Sequence, residues 1–268
     1  MRQEGRLLVS GGFASEQGVR PDNQDFVGIY DATETERHLH GMGAAVADGV
    51  GGAKGGRIAA ELAVRTLIDG LYDQPDTISR AAAAHAVMAP YNRWLNTMGQ
   101  TENMAHAATT FTAAILKGRK AHILHAGDSR AWHFRDGHLT MLTQDHVRSH
   151  PDQRHILYRA IGIEERLRLD HHEVALAEHD RLLLTSDGVH GSLSAKRLEK
   201  LLGLRNSADA DAQAIVDEAL AAGSQDNASA VLLDIITLPA VDHDSIAGDI
   251  ARLPILDPPT EGESIDGF

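Results

Sequence analysis

The chain has 268 residues, 43% of them hydrophobic, which is enough to bury a substantial core. It contains no cysteine, so disulfides, thiolate metal sites and a thiol nucleophile are excluded, and an intracellular setting is the simpler expectation. A formal net charge of -13 argues against nucleic acid, and without a signal peptide or about 18 unbroken apolar residues the chain reads as soluble and cytoplasmic, with no membrane contact.

Arg6 to Ala14 and Phe26 to Asp31 carry apolar and β-branched residues bounded by Gly, Ser and Asn, which predicts two strands around a polar turn from Gly18 to Asp25. The stretch Gly43 to Gly56 follows, GAAVADGVGGAKGG: an apolar strand that ends in Asp48, then a glycine-rich turn through Gly49, Gly51 and Gly52. Such a turn can bend around a cation held by Asp48 or cradle a phosphate, with Lys54 beside it. Val64, Leu67, Ile68 and Leu71 form an amphipathic helical stripe. A second stripe, Ala84, Val87, Met88 and Tyr91, contains Pro90, which is expected to kink that helix or end it early.

From Thr109 the period changes. Thr109 to Leu116, Lys120 to Ala126 and Ser129 to Arg135 read as strands, and Asp136-Gly137 is a hairpin signal that implies antiparallel pairing. Gln144 to Asp170 is polar and histidine-rich and reads as an inserted loop with one helical turn near Ile156 to Ile161. A strand at Arg181 to Thr185, helices at Ala195 to Leu202 and Asp209 to Ala221, and a last apolar run at Ala228 to Leu238 complete the pattern. This order fits mixed layers of sheet and helix better than strict strand-helix alternation. After Leu238 the chain becomes linker-like, with Pro254, Pro258, Pro259 and Gly262.

Val46-Ala47-Asp48-Gly49-Val50 is echoed by Thr185-Ser186-Asp187-Gly188-Val189, and Asp128 and Asp226 also sit near strand edges. An isolated Asp-Gly pair is usually a turn. Repeated at strand ends, these carboxylates would converge, and like charges so close call for cations between them. Oxygen donors suit hard ions, Mg²⁺ or Mn²⁺. The phosphate cradle weakens, because Asp48 would repel an anion and the glycine spacing lacks both nucleotide-binding patterns.

Taken together, the segments resemble the metal-dependent, type-2C protein serine/threonine phosphatases in their bacterial form. The matching pieces are Arg20-Pro21-Asp22-Asn23-Gln24-Asp25, Val46 to Gly52, Ala108-Thr109-Thr110, Gly127-Asp128-Ser129-Arg130, Leu142-Thr143-Gln144-Asp145-His146, Arg159-Ala160-Ile161-Gly162, Thr185 to Val189 and Asp226-Asn227-Ala228-Ser229. One piece alone is weak, whereas the ordered set is specific.

The resemblance implies an α+β fold, a four-layer α-β-β-α sandwich of two mainly antiparallel sheets flanked by helices, spanning residues 1–238 with a flap at about 144–170 and a tail at 239–268. It implies Mn²⁺ or Mg²⁺, two ions in the core site and a third, weaker one. Asp48 would bridge the two ions, Gly49 would offer its carbonyl to one, and Asp187 and Asp226 would bind the other. Asp128 matches the aspartate that helps hold the third. Asp25 would bind metal or orient its water, and Arg20 would grip the substrate phosphate. The activity implied is hydrolysis of phosphoserine and phosphothreonine in proteins by direct attack of a metal-bridging water or hydroxide. The alternative is a non-catalytic phosphoprotein-binding or kinase-regulating module of the same fold.

Two positions depart from the family's eukaryotic pattern: Gln24 replaces an acid, and Val50 stands where a histidine is the proposed general acid. Asn23, His146 and His190 read as structural, Arg130 as the partner of a carboxylate, and Thr109 and Thr110 as support for the metal edge. His38, His40, His171 and His172 show no ligand spacing. In the flap, Arg148, Arg154 and Arg159 read either as contacts for acidic substrate segments or as a solvated surface. Gly262 to Phe268 resembles the lead-in to a bacterial serine/threonine kinase domain, which places a kinase in the same polypeptide or pathway; an ordinary tail is the alternative.

Overall fold

The computed structural model describes residues 6–30, 35, 40–50, 53–148, 150 and 156–240. Gly51, Gly52, His38, Arg154, the Lys54 side chain and the tail from 241, with its kinase-like lead-in, lie outside the described residues.

In chain order the strands are β1 (Leu8–Glu16), β2 (Asp25–Ile29), β3 (Met42–Val50), β4 (Ala108–Thr109), β5 (Phe111–Lys117), β6 (Lys120–Ala126), β7 (Arg130–Arg135), β8 (His138–Met141), β9 (Asp170–Ala175), β10 (Arg181–Thr185) and β11 (Ala228–Thr237). The α-helices are α1 (Ala53–Leu71), α2 (Arg80–Met98), α3 (Asp187–His190), α4 (Ala195–Leu202) and α5 (Ala208–Ala221). One sheet has the order β1-β11-β10-β7-β8, the other β2-β3-β5-β6-β9 with β4 joined to β3, and every pairing is antiparallel.

Three apolar layers hold the elements together, giving the expected α-β-β-α sandwich. On β3, Ala45 and Ala47 face α1 and α2, while Ala44 and Val46 face the other sheet. This is the two-residue alternation of a strand buried on both sides. On β11, Ala228, Ala230 and Leu232 pack under α4 and α5, and Val231, Leu233 and Ile235 fill the space between the sheets. Asp136 (φ 52) and Gly137 (φ 83) form the β7–β8 turn with positive φ at both positions, as a two-residue hairpin requires.

The two predicted strands β1 and β2 flank a polar turn as expected; they lie in different sheets, and the turn between them crosses from one to the other. Three features differ from the sequence reading. Pro90 does not end α2, which continues to Met98, because it lies on the exposed side where the unpaired Ala86 carbonyl can meet water. The residues near Ile156 to Ile161 form no helical turn: Leu157 bridges Val147 and Ile161 bridges Thr109. The strand β9 has no counterpart in the reading, since its sequence DHHEVA at a sheet edge lacks an apolar face.

The register of β10 decides where Asp187 emerges, and a buried cation helps fix it. Arg181 donates to Asp234 of β11 (Nε–Oδ1 2.5 Å), to Asp211 of α5 (Nη1–Oδ2 2.7 Å) and to the Leu202 carbonyl of α4 (2.7 Å). Removing one partner of a buried pair leaves an uncompensated charge. Asp211→Ala is therefore expected to lower unfolding free energy by about 3–5 kcal/mol in urea titration; a loss below about 1 kcal/mol would mean that Asp234 suffices alone.

Candidate metal centre

The aspartates singled out in the sequence meet at one end of the seam between the sheets. Asp25, the first residue of β2, stands in register with Asp48 near the end of β3. Asp187 follows β10 and Asp226 precedes β11 in the other sheet, while Asp128 lies on the connection from β6 to β7, which crosses between sheets. Asp25 is buried; the other four are half-buried.

Each acid is held by its own local scaffold. The Asp48 backbone N–H donates to Thr110 Oγ1 (2.9 Å), and its carbonyl accepts from Thr110 N (2.8 Å) and Thr109 Oγ1 (2.9 Å). Gly49 donates to the Gln24 carbonyl (3.2 Å) and touches α1 so closely that a Cβ there would run into the Gly56 carbonyl. Ser186 joins the two sheets' contributions: its hydroxyl donates to Asp25 Oδ2 (2.7 Å) and accepts from Ser229 N (3.0 Å). A Cβ at Gly188 would run into the Asn227 carbonyl, so glycine lets the Asp187 and Asp226 loops touch.

The β1–β2 loop is fastened over this edge by Asn227, whose Nδ2 donates to the carbonyls of Gln17 (2.7 Å) and Asp22 (3.0 Å) and whose Oδ1 accepts from Gln24 N (2.8 Å). Arg20 in that loop is exposed and lies on Asp226, with Nη2–Oδ2 2.6 Å and a second donation to the Gln225 carbonyl (3.1 Å). Asn23 is structural: its Oδ1 accepts from Asp25 N (3.0 Å) and its Nδ2 donates to Ser15 (3.0 Å).

Around Asp128 the support comes from the flap side. The His146 backbone N–H donates to the Gly127 carbonyl (2.7 Å), and its ring Nδ1 accepts from Gly127 N (3.0 Å). Arg130 holds Asp145 through two bonds (2.9 and 2.7 Å). Arg159 donates to Asp170 (2.5 Å) and contacts His146 Nε2 (3.1 Å), so it is spent within the flap's base instead of facing a substrate. Arg148 is exposed. His190 is bonded to Thr185 (2.9 Å), and burial drives its pKa down to about 3.

Burial and mutual repulsion act on the acids in the same direction. Burial, then Asp25, Asp187, Asp226 and Asp128, raise the Asp48 pKa well above the usual carboxylate value. Burial pushes Asp25 up to about 7 against hydrogen bonds from Ser186 and Ser229; burial, then Asp187 and Asp145, push Asp128 to about 7; burial, then Asp226, push Asp187 to about 6. Asp187 Oδ1 is buried with no hydrogen-bond partner. A buried carboxylate oxygen left unpaired amid other carboxylates is what a divalent cation with oxygen preference satisfies, so these residues fit hard metal ions.

A family model described as protein phosphatase 2C matches residues 22–235. The chain belongs to the protein phosphatase 2C family. It is 26% identical to the serine/threonine phosphatase stp of Listeria monocytogenes over 83% of this chain and 94% of that protein. It is 30% identical to the serine/threonine protein phosphatase PstP of Mycobacterium tuberculosis over 72% of this chain and 40% of that one. Among solved structures, the S. agalactiae serine/threonine phosphatase superposes with a TM-score of 0.77 at 25% identity, covering 85% of this chain and all of that one. The PstP catalytic domain in complex with 2 manganese ions superposes with 0.72 at 27% identity, covering 86% and 99%. The protein phosphatase 2C fold thus extends over most of this chain, and the family is metal-dependent.

Sequence reasoning passed over Ser186 and Asn227 as organisers of the site. Both sit inside quoted motifs, beside Asp187 and Asp226, but their bonds reach across to Asp25, Gln17 and Asp22, partners that no local spacing reveals.

A carboxyl whose pKa rises on folding binds its proton more tightly in the folded chain. Its cost to stability grows as pH climbs from the ordinary 3.8 and is complete above the raised value of 6 to 7. In the presence of chelator this term destabilises the chain at pH 8 relative to pH 5.5, against buried neutral histidines such as His125 and His190, which favour the folded chain at the higher pH. Asp48→Asn is therefore expected by calorimetry to gain more Tm over the parent at pH 8 than at pH 5.5, by several degrees or roughly the shift of 1–2 kcal/mol; an equal gain at both pH values would show that the Asp48 charge does not strain the cluster.

Proposed function

We propose that this chain hydrolyses phosphoserine and phosphothreonine in proteins, using divalent cations held by the aspartate cluster. The convergence of Asp25, Asp48, Asp128, Asp187 and Asp226 at one seam, with Arg20 beside them, carries the reading. Asp48 and the Gly49 carbonyl would hold two Mn²⁺ or Mg²⁺ ions together with Asp187 and Asp226, and Asp128 would hold a third. Asp25, bonded to Ser186, would either ligate or orient a bound water. Bound there, such ions supply Lewis acidity toward phosphoryl oxygens and an acidified water as nucleophile.

The chain's own residues supply the rest. Arg20 offers a planar fork to two phosphate oxygens. Thr109 and Thr110 hold the Asp48 backbone, so that its carboxylate is aimed before any ligand arrives. Protonation of the leaving alkoxide falls to solvent in the site: Val50 has no proton to give, His190 is neutral and bonded inside, and His146 is occupied with Gly127.

The proposed phosphatase unit covers residues 1–238 with the flap at 144–170, and 239–268 joins it to a kinase of the same polypeptide or pathway or forms a plain tail. Its setting is cytoplasmic. No described helix is long and apolar enough to cross a membrane. A non-catalytic binding module would have no need of the full acid set.

Phosphate release from a phosphothreonine peptide is expected with Mn²⁺ and to vanish with EDTA. Asp187→Ala should lower kcat/KM by at least roughly a hundredfold, and Arg20→Ala should act mainly through KM, by about tenfold for the loss of one charge-assisted pair. Calorimetric metal binding without turnover in either Mn²⁺ or Mg²⁺ would replace the enzyme with the binding module.

A further inference from the structure

The edge strand β9 sets His171 and Glu173, two residues apart, on one face, and its antiparallel register with β6 puts His122 opposite Glu173 and diagonal to His171. His122 Nδ1 lies 3.2 Å from His171 Nε2 and 3.6 Å from Glu173 Oε1. Among the described residues this is the one His/Asp/Glu group whose candidate ligand atoms all lie within 4.8 Å of one another. Nothing in the phosphatase chemistry proposed above employs it.

With metal–nitrogen bonds of about 2.0–2.1 Å, tetrahedral ligand atoms stand roughly 3.3 Å apart, close to the separations seen here. Lys120 Nζ occupies Glu173 Oε2 (2.7 Å), which leaves Oε1 turned toward His122. The two imidazoles share a hydrogen bond through the nitrogens that would bind metal, so a cation would displace that proton and small rotations of the rings would aim both lone pairs at it. Burial holds the His122 ring below the usual imidazole range, in the neutral form that a ligand must have.

We propose that His122, His171 and Glu173 form a separate metal site for a borderline transition-metal ion such as Zn²⁺, distinct from the aspartate centre. Two imidazoles and one carboxylate favour Zn²⁺, Co²⁺ or Ni²⁺ over Mg²⁺, whereas the all-oxygen aspartate cluster has the opposite preference. Three protein ligands leave a fourth position for water. The ion would fasten the edge strand to β6. Because β9 begins at Asp170, which anchors Arg159 and His146, it would also stiffen the root of the flap.

The test uses the full chain without an added histidine tag, in an Asp48→Asn/Asp187→Asn background with Mg²⁺ in excess, so that it is independent of phosphatase turnover. Zn²⁺ titration by calorimetry is expected to show one equivalent per chain. Co²⁺ should give the visible ligand-field bands of a tetrahedral nitrogen–oxygen site. His171→Ala and Glu173→Gln, both at exposed positions that leave the core intact, should each weaken Zn²⁺ binding by at least about tenfold and abolish the Zn²⁺-dependent rise in Tm. Absence of a stoichiometric site in the parent, or binding unmoved by both substitutions, would overturn the proposal.

Discussion

The organising constraint in this protein is the repulsion among carboxylates that the fold forces together at the seam of two sheets. The pKa values of Asp25, Asp48, Asp128 and Asp187 rise because burial and neighbouring charge act in the same direction, and the unpartnered Asp187 oxygen marks where compensation is owed. A fold selected only for stability would not collect these groups. The surrounding structure overcomes the repulsion with apolar layers on both sides of each sheet and with directed hydrogen bonds from Thr109, Thr110, Ser186 and Ser229.

The site's parts come from connections that cross between the sheets or from strand ends that stop level with one another. The β1–β2 loop crosses with Arg20, and the β6–β7 connection crosses with Asp128; β3, β10 and β11 contribute Asp48, Asp187 and Asp226 at their ends. Small residues make this possible, since glycine at 49 and at 188 lets backbone meet backbone where any side chain would hold the loops apart. The ligand positions therefore depend on sheet register, and through Arg181 on the packing of α4 and α5 far from the chemistry.

Much of this was legible in the sequence, because period and punctuation are local signals. The apolar runs of β3 and β11, the helical stripes and the Asp136-Gly137 turn gave the elements, aspartates near the ends of apolar runs gave Asp48, Asp128, Asp187 and Asp226, and the four-layer arrangement and Asp25 came with the family resemblance. What the sequence hid was relational. That β1 and β2 part into different sheets is decided by which partner buries their apolar faces. Pro90 is harmless because of the side of α2 it occupies, a tertiary fact. The edge strand β9 has no apolar face to announce it, so His171 looked like one more histidine without ligand spacing until pairing brought it to His122, 49 positions earlier in the chain.

The ion pair between Arg20 and Asp226 has a kinetic corollary under the proposed roles. The guanidinium meant for the phosphate and the carboxylate meant for a cation satisfy each other in the described conformation. Arg20 is thus a tethered placeholder charge, and its release is coupled to the arrival of another cation on Asp226. Being solvent-exposed, such a partnership yields readily and favours metal before phosphoprotein without enforcing it. The same exposed arginine also offsets part of the repulsion felt by Asp187.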